Sequence, residues 1–297
     1  MDIQIRDLKM RYRGGKLALD GISLDIGNGM FGLLGPNGAG KTSLIKILAT
    51  LLKPTAGSIR VDGRDLEKNR KQIRRQIGYL PQEFTSFPKL TAREFLDYVA
   101  RLKGLKPRKS RAAQVDAVLE SVGLSDARDR RADKLSGGMK RRLGIAQSLI
   151  GGPKFLIIDE PTVGLDPEER VRFRNLLSDL TREEKVILLS THIVGDISST
   201  CARIALLDEG KVVFAGPPGE LVERTRGKVW KVDARPEEMD TVKTRYPVVS
   251  SIPSVAGYEL RLVADAVPDR PASPVEPNLE DAYVYFMDSA ERKAAEA

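Results

Sequence analysis

Gly35-Pro36-Asn37-Gly38-Ala39-Gly40-Lys41-Thr42 decides how the rest of this sequence is read. It satisfies G-x-x-x-x-G-K-[ST] at every fixed position. The run before it, Met30-Phe31-Gly32-Leu33-Leu34, reads as a short buried strand, and Ser43 to Leu51 is apolar at helical spacing. Strand, glycine-rich loop and helix, in that order, turn a string match into a phosphate site. The glycines let the backbone curl with its N–H groups inward, and the new helix turns its positive dipole end to the same anion. Lys41 is expected to reach the β- and γ-phosphates as a point charge, and the Thr42 hydroxyl to bind Mg²⁺. The plain alternative is a glycine-rich turn with an incidental lysine.

Hydrolysis of a bound nucleotide needs a metal ligand and a group that positions or deprotonates water. Phe155-Leu156-Ile157-Ile158 is a fully apolar strand that ends in Asp159 and Glu160. The carboxyl ends of strands are where open α/β sheets bind ligands. Asp159 is expected to hold Mg²⁺, and Glu160 to be the general base. The sole histidine, His192, follows the buried run Val186–Leu189, as a γ-phosphate sensor would.

Leu135-Ser136-Gly137-Gly138-Met139 has no role within a single nucleotide site, yet it opens a helix read as Lys140–Ile150. Two glycines and a serine at a helix start form a second anion receptor. Two chains sharing nucleotides head-to-tail across a two-fold axis would use both receptors.

The remaining chain reads as alternating strands and helices. Residues 1–29 read as antiparallel β-structure around Gly14-Gly15, with Tyr12 just before the turn. Gly57–Gly63 reads as a strand into an Asp-Gly turn, and Gln76–Gln82 as a strand stopped by Pro81. Residues 86–152 read as a helical insertion. Its first helix opens on the capping box Thr91–Glu94 and carries Phe95, Leu96, Val99 and Leu102 on one face. A second helix spans Ser110–Ser121. Beyond the insertion, a helix that starts after Asp166 with Pro167 in its first turn shows Val171, Leu176, Leu177 and Leu180. A final strand pair flanks Glu209-Gly210-Lys211. The expected fold class is α/β, a P-loop NTPase core with a mostly parallel sheet. It carries an N-terminal antiparallel β-subdomain, a helical subdomain and a small C-terminal α+β extension. The expected boundary falls between 216 and 217. After it come a β-like region, a proline-rich link and a short helix from Asn278.

Composition narrows the classes. One cysteine, Cys201, excludes an internal disulfide framework and fits a reducing compartment. No stretch reaches the ~18 apolar residues of a membrane span. Met1–Arg6 alternates like a strand without a signal-peptide core, so the chain is expected in the cytoplasm unless a partner holds it at a membrane. From Pro218 onward there are 11 Lys and Arg against 15 Asp and Glu; before it, 38 against 26. The basic part could meet nucleic acid, anionic lipid or nucleotide phosphates. With 5% aromatics and none interleaved with the basic runs, a base-stacking surface is poorly supported and no nucleic-acid partner is expected.

In these motifs the chain resembles the ATP-binding subunits of ABC transporters over residues 1–216. The resemblance implies an ATPase that uses ATP and Mg²⁺, with nucleotide held by Tyr12 and by Gly35, Pro36, Asn37, Gly38, Ala39, Gly40, Lys41, Thr42 and Ser43. Tyr12 matches the aromatic that stacks on adenine. Gln82 resembles the Q-loop glutamine, which touches the metal and the transmembrane partner. Metal ligands would thus be Thr42, Gln82 and Asp159, and catalytic residues Glu160, His192 and Gln82. Leu135–Met139 resembles the signature motif, in which Leu135, Ser136, Gly137, Gly138 and Met139 contact the other subunit's ATP. Gly164-Leu165-Asp166 resembles the D-loop, with Asp166. Met139 stands where the signature commonly has Gln, and Val163-Gly164 stand where the D-loop has Ser-Ala.

Both variants are similar to those of bacterial exporters for drugs, antibiotics and polymers. The resemblance implies a homodimer on the cytoplasmic face of the membrane, bound to separately encoded permease subunits. The tail would be a structural appendage, a dimer contact or a regulator. Two other readings stay open: a single-cassette ATPase working on ribosomes or nucleic acid, and a regulatory ATP-binding module.

Overall fold

A computed structural model describes residues 1–181, 185–198, 200–255 and 257–295. Strands β1 (Ile3–Arg11) and β2 (Leu17–Ile26) pair antiparallel, followed by β3 (Gly29–Leu34) and helix α1 (Lys41–Leu48). Strands β4 (Ala56–Val61) and β5 (Arg64–Asp65) form a hairpin closed by Asp62 and Gly63, both at positive φ (47° and 74°). That geometry is what an Asp-Gly turn supplies. Together they make a four-stranded sheet, β2-β1-β4-β5.

After α2 (Arg70–Arg74) and β6 (Ile77–Leu80), three helices form the expected insertion: α3 (Ala92–Leu102), α4 (Arg108–Ser121) and α5 (Gly137–Leu149). Then come β7 (Phe155–Asp159), α6 (Pro167–Thr181), β8 (Val186–Thr191), α7 (Val194–Ile197), β9 (Arg203–Asp208) and β10 (Lys211–Gly216). The central sheet has the order β10-β9-β3-β8-β7-β6, parallel throughout except for the β9–β10 hairpin.

Unbroken apolar runs form these strands because both faces of the sheet are covered. Leu156, Ile158, Ile187, Leu189, Ile204 and Leu206 enter the core under the helices. Their neighbours Phe155, Ile157, Val186, Leu188, Ala205 and Leu207 enter a second core, shared with α1 and the antiparallel sheet. Each of these side chains other than Ala205 contributes roughly 1.5–3 kcal/mol of burial. Gly78 permits a close approach of α5. A Cβ there would lie 2.2 Å from the Ser148 carbonyl on α5.

Several expectations shift. Helix α1 begins at Lys41 and stops at Leu48; Thr50 takes φ +61° and Leu51 is left exposed. Helix α5 begins at Gly137, three residues earlier than read, because Ser136 Oγ accepts from Met139 N and caps it. The Thr91–Glu94 capping box is formed as read. On α3, however, Ala92 and Ala100 are buried with Phe95 and Leu96, while Leu102 is 70% exposed. On α6, Phe173, Leu177 and Leu180 follow the i, i+4, i+7 spacing inward, and Val171 faces out.

Beyond Gly216, α8 (Pro218–Glu223) leads to a third sheet of β11 (Val229–Ala234), β12 (Val248–Ser254), β13 (Gly257–Val263) and β14 (Ala272–Pro274), with α9 (Met239–Arg245) between β11 and β12. The proline-rich link contains β14. The last helix, α10 (Leu279–Ala295), returns to the main core. Leu279 and Ala282 are buried there, with Tyr283 and Phe286 packed beside them.

Candidate nucleotide site

The loop Gly35–Gly40 is held from behind by the β9–β10 turn, where Gly210 N donates to Ala39 O at 3.1 Å. Two glycines are forced by this fit. Gly35 (φ +155°) would place a Cβ 2.2 Å from the Leu207 carbonyl, and Gly40 (φ +104°) one 2.5 Å from the Ala18 carbonyl. No side chain can stand at either position without moving backbone.

Lys41 is buried at the head of α1. Its Nζ donates to the carbonyls of Gly35 (2.6 Å) and Pro36 (3.0 Å) and lies 3.9 Å from Glu160 Oε1. Burial lowers its pKa, and the charges of Glu160 and Asp159 oppose that shift. Tyr12 sits on the rim, half-exposed, with its hydroxyl 3.1 Å from Ser43 Oγ. One cleft brings together Tyr12, Pro36, Asn37, Gly38, Gly40, Lys41, Thr42, Ser43, Gln82, Glu160 and His192, with Lys16, Ala18 and Val163 at its edge. Ala39 is buried within the loop, and Gly35 accepts from Lys41.

The carboxylates stand where β7 ends. Asp159 is buried, and its Oδ1 has no hydrogen-bond partner among the described residues. Burial raises its pKa and the Glu160 charge adds to that, while the Ser190 hydroxyl and the charges of Lys41 and Arg141 pull it back. Thr42 and Gln82 line the cleft, while Asp159 does not and stands one residue before its Glu160; their hydroxyl, amide and carboxylate oxygens are donor types that suit Mg²⁺. Glu160 follows at φ +48° and donates its N–H to Ser190 O at 2.9 Å. Its Oε2 lies 2.6 Å from His192 Nδ1. A buried carboxylate, Asp196 on α7, ties the segments bearing this pair. Its Oδ2 accepts from Thr162 Oγ1, and from Thr191 Oγ1 at 3.4 Å.

Leu135–Met139 do not line this cleft. Ser136 caps α5 as an acceptor, which leaves its O–H proton free to donate. The Glu169 carboxyl packs over Gly138, and Arg130 Nη1 approaches Met139 Sδ at 3.9 Å. Asp166 Oδ1 accepts from Glu169 N at 2.8 Å and so caps α6. Sequence reasoning missed Arg141, which bonds to the backbone of both the Gln82 loop and the Asp159–Glu160 turn. In Lys140-Arg141-Arg142 it reads as one charge of a solvated basic run. Asp196 was missed because its partners, the hydroxyls of Thr162 and Thr191, come near it only in the fold.

A family model described as ABC transporter matches residues 19–163. The chain is 37% identical over 263 residues to an uncharacterized ABC transporter ATP-binding protein, YxlF, of Bacillus subtilis, covering 87% of this chain and 86% of that one. It is 39% identical over 226 residues to the Nod factor export ATP-binding protein I of Burkholderia thailandensis, covering 76% and 74%. Among solved structures it is similar to the dimeric post-hydrolysis state of the ATP-binding cassette MJ0796 bound to ADP and Pi. There the TM-score is 0.66 at 26% identity, with 72% of this chain and 98% of that one covered.

Proposed function

The chain belongs to the family of ABC transporter ATP-binding proteins, and from that membership we propose that its cleft hydrolyses Mg²⁺-bound ATP to drive export through a permease carried on another chain. Cassettes of this family bind and hydrolyse ATP, dimerise and work with transmembrane components. The ATP-binding unit is assigned to residues 1–216, and 217–297 to an extension.

The observation that carries this reading is the convergence on Glu160. Lys41 of the cradle lies 3.9 Å from one carboxylate oxygen and His192 2.6 Å from the other. Three elements distant in sequence thus meet where a terminal phosphate and its attacking water would sit. In this reading the Gly35–Thr42 amides and Lys41 hold the phosphates, and Tyr12 supports the base. Glu160 takes the proton of water, and His192 keeps that carboxylate in place. Thr42, Asp159 and Gln82 would hold Mg²⁺, which when bound offsets the negative charge of the phosphates. Ser136, Gly137 and Gly138 of one copy would meet nucleotide held by a second copy.

The permease reading is supported by an exposed apolar face. Leu51 and Leu102, 61% and 70% exposed, flank an open groove that takes in Tyr79, Val99 and Leu105 and is edged by Lys71, Arg74, Arg75 and Lys103. Phe87 and Tyr98 stack edge-to-face at 5.4 Å on the same insertion. Exposed patches of this kind mark interaction sites. Among the described residues no helix is long and apolar enough to cross a membrane. Location at the cytoplasmic face would follow from the permease contact.

The experiment is recovery of partners from native membranes and cytosol by a Glu160→Gln form held with ATP. A polytopic membrane protein in fixed ratio supports the reading. Ribosomes or nucleic acid without a membrane partner would leave the ATPase and remove transport.

A further inference from the structure

Arg141 stands on α5, just past the turn capped by Ser136, with its guanidinium directed into the molecule. A guanidinium has five N–H donors in a fixed plane. Here the hydrogen bonds number the same. Nε donates to Pro161 O at 2.9 Å. Nη2 donates to Asp159 O at 3.1 Å and Glu160 O at 2.7 Å. Nη1 donates to Pro81 O at 3.3 Å and Gln82 O at 2.8 Å. Three acceptors lie at the end of β7 and two in the loop after β6. All five are main-chain carbonyls.

This is not what a surface charge or a packing residue does. Arg142, the next residue, behaves ordinarily: it bonds the Gly123 carbonyl and lies 3.6 Å from Glu169. Arg141 instead joins two loops to one helix through a rigid fork. A lysine would present three donors from one point on a flexible stem and could not span both loops.

We propose that Arg141 is a positioning residue that makes three segments move as one body: the Ser136–Met139 helix start, the Gln82 loop and the Asp159–Glu160 turn. The proposal rests on the ATPase reading above, in which Ser136 meets nucleotide held by a second copy while Glu160 serves nucleotide held by its own chain. A displacement of α5 at one nucleotide then reaches Glu160 and Gln82 at the other through a single side chain. Arg141 contacts no reacting atom; it acts through the backbone of residues that do.

The test compares the whole chain with Arg141→Lys and Arg141→Ala. In nucleotide-free protein, amide exchange across residues 82–84 and 160–163 is expected to speed up about tenfold or more in both variants, with β3 and α1 unchanged. With Mg²⁺ and ATP, kcat is expected to fall about tenfold or more, while KM for ATP stays within about twofold because the 35–42 cradle is untouched. The Hill coefficient for ATP is expected to fall from above one toward one. Lysine is expected not to rescue, since charge without the fork cannot bridge the loops.

Wild-type kcat, Hill coefficient and exchange in Arg141→Lys would overturn the proposal. So would a loss carried by KM, or by a matching loss of folded protein in thermal melts. Failure of the ATPase reading is distinguishable: the wild-type chain itself then turns over no ATP. The exchange comparison without nucleotide still decides whether Arg141 holds the two loops.

Discussion

Glu160 Oε2 and His192 Nδ1 meet at 2.6 Å across the ends of the neighbouring parallel strands β7 and β8. Glu160 reaches that place in the left-handed backbone region, φ +48°, which costs a non-glycine residue about 1–2 kcal/mol. The conformation is held from both sides. Its N–H donates to Ser190 O, and its carbonyl accepts from Arg141. Strain kept at one carboxylate fits a group held ready for chemistry. Glu160→Gln preserves shape and removes the base, so ATP turnover should fall by about 10²–10⁴. ATP affinity should stay near wild type. Phosphate release and equilibrium ATP binding measure the two; turnover within a few-fold of wild type would exclude Glu160 as the base.

His192 should act on turnover and not on binding. It lies at the cleft edge with 43% of its side chain exposed, and Glu160 is its charged neighbour. His192→Ala should lower kcat by roughly 10–100-fold and leave KM for ATP within about threefold. His192→Asn can still offer an N–H to Glu160 and should recover part of the loss. Steady-state kinetics of both variants check this. Equal losses in the two would mean that a polar contact with Glu160 is not what His192 supplies.

Much of this site was legible because its chemistry is local. Gly35–Thr42 folds as its own pattern dictates, and Asp159 and Glu160 follow a run whose only reading is a buried strand. Helix faces were less legible. Leu102 and Val171 fit the apolar spacing of their helices, yet packing chose Ala100 and Phe173, because small residues let α3 approach its neighbours and one large ring filled the space under α6. The β-like stretches read beyond residue 216, Lys228–Asp233 and Tyr258–Val263, leave out strand β12, whose pattern Val-Val-Ser-Ser-Ile-Pro-Ser lies at a sheet edge and is mostly exposed. Arg141 and Asp196 were illegible in principle. Their partners are backbone carbonyls and hydroxyls brought near only by the fold.

Cys201 reports on the segment behind His192. It is 7% exposed, and burial pushes its thiol up to about 12. At pH 8 the folded thiol should therefore be about one part in 10⁴ thiolate, against roughly a quarter in the unfolded chain. Because the folded pKa is raised, its contribution to stability is fully present below the unfolded value. It is lost as pH rises through about 12. Alkylation by iodoacetamide at pH 8 should be about a thousandfold slower in buffer than in urea. Rapid labelling of the folded chain would show that the α7 segment opens on its own.

The C-terminal helix is fastened by a charge that the core hides. Asp281 is fully buried, and Arg261 on β13 grips it with two bonds of 2.6 Å, Nε to Oδ1 and Nη2 to Oδ2. Asn278 and Asp281 cap each other reciprocally at 2.7 and 3.0 Å, which starts α10 and points Leu279 and Ala282 into the main core. Removing Arg261 leaves a buried carboxylate faced, among the described residues, by the Asn278 N–H. Arg261→Met should cost about 3–5 kcal/mol in urea unfolding. Adding Asp281→Asn should return a large part of that loss, because the unpaired charge is gone while the cap oxygen remains. If the extension is a structural appendage, kcat per folded molecule should stay within about twofold in both variants. A kcat that changes several-fold while Asp281→Asn restores stability would instead make the tail a regulator, acting where α10 packs on α7, next to His192.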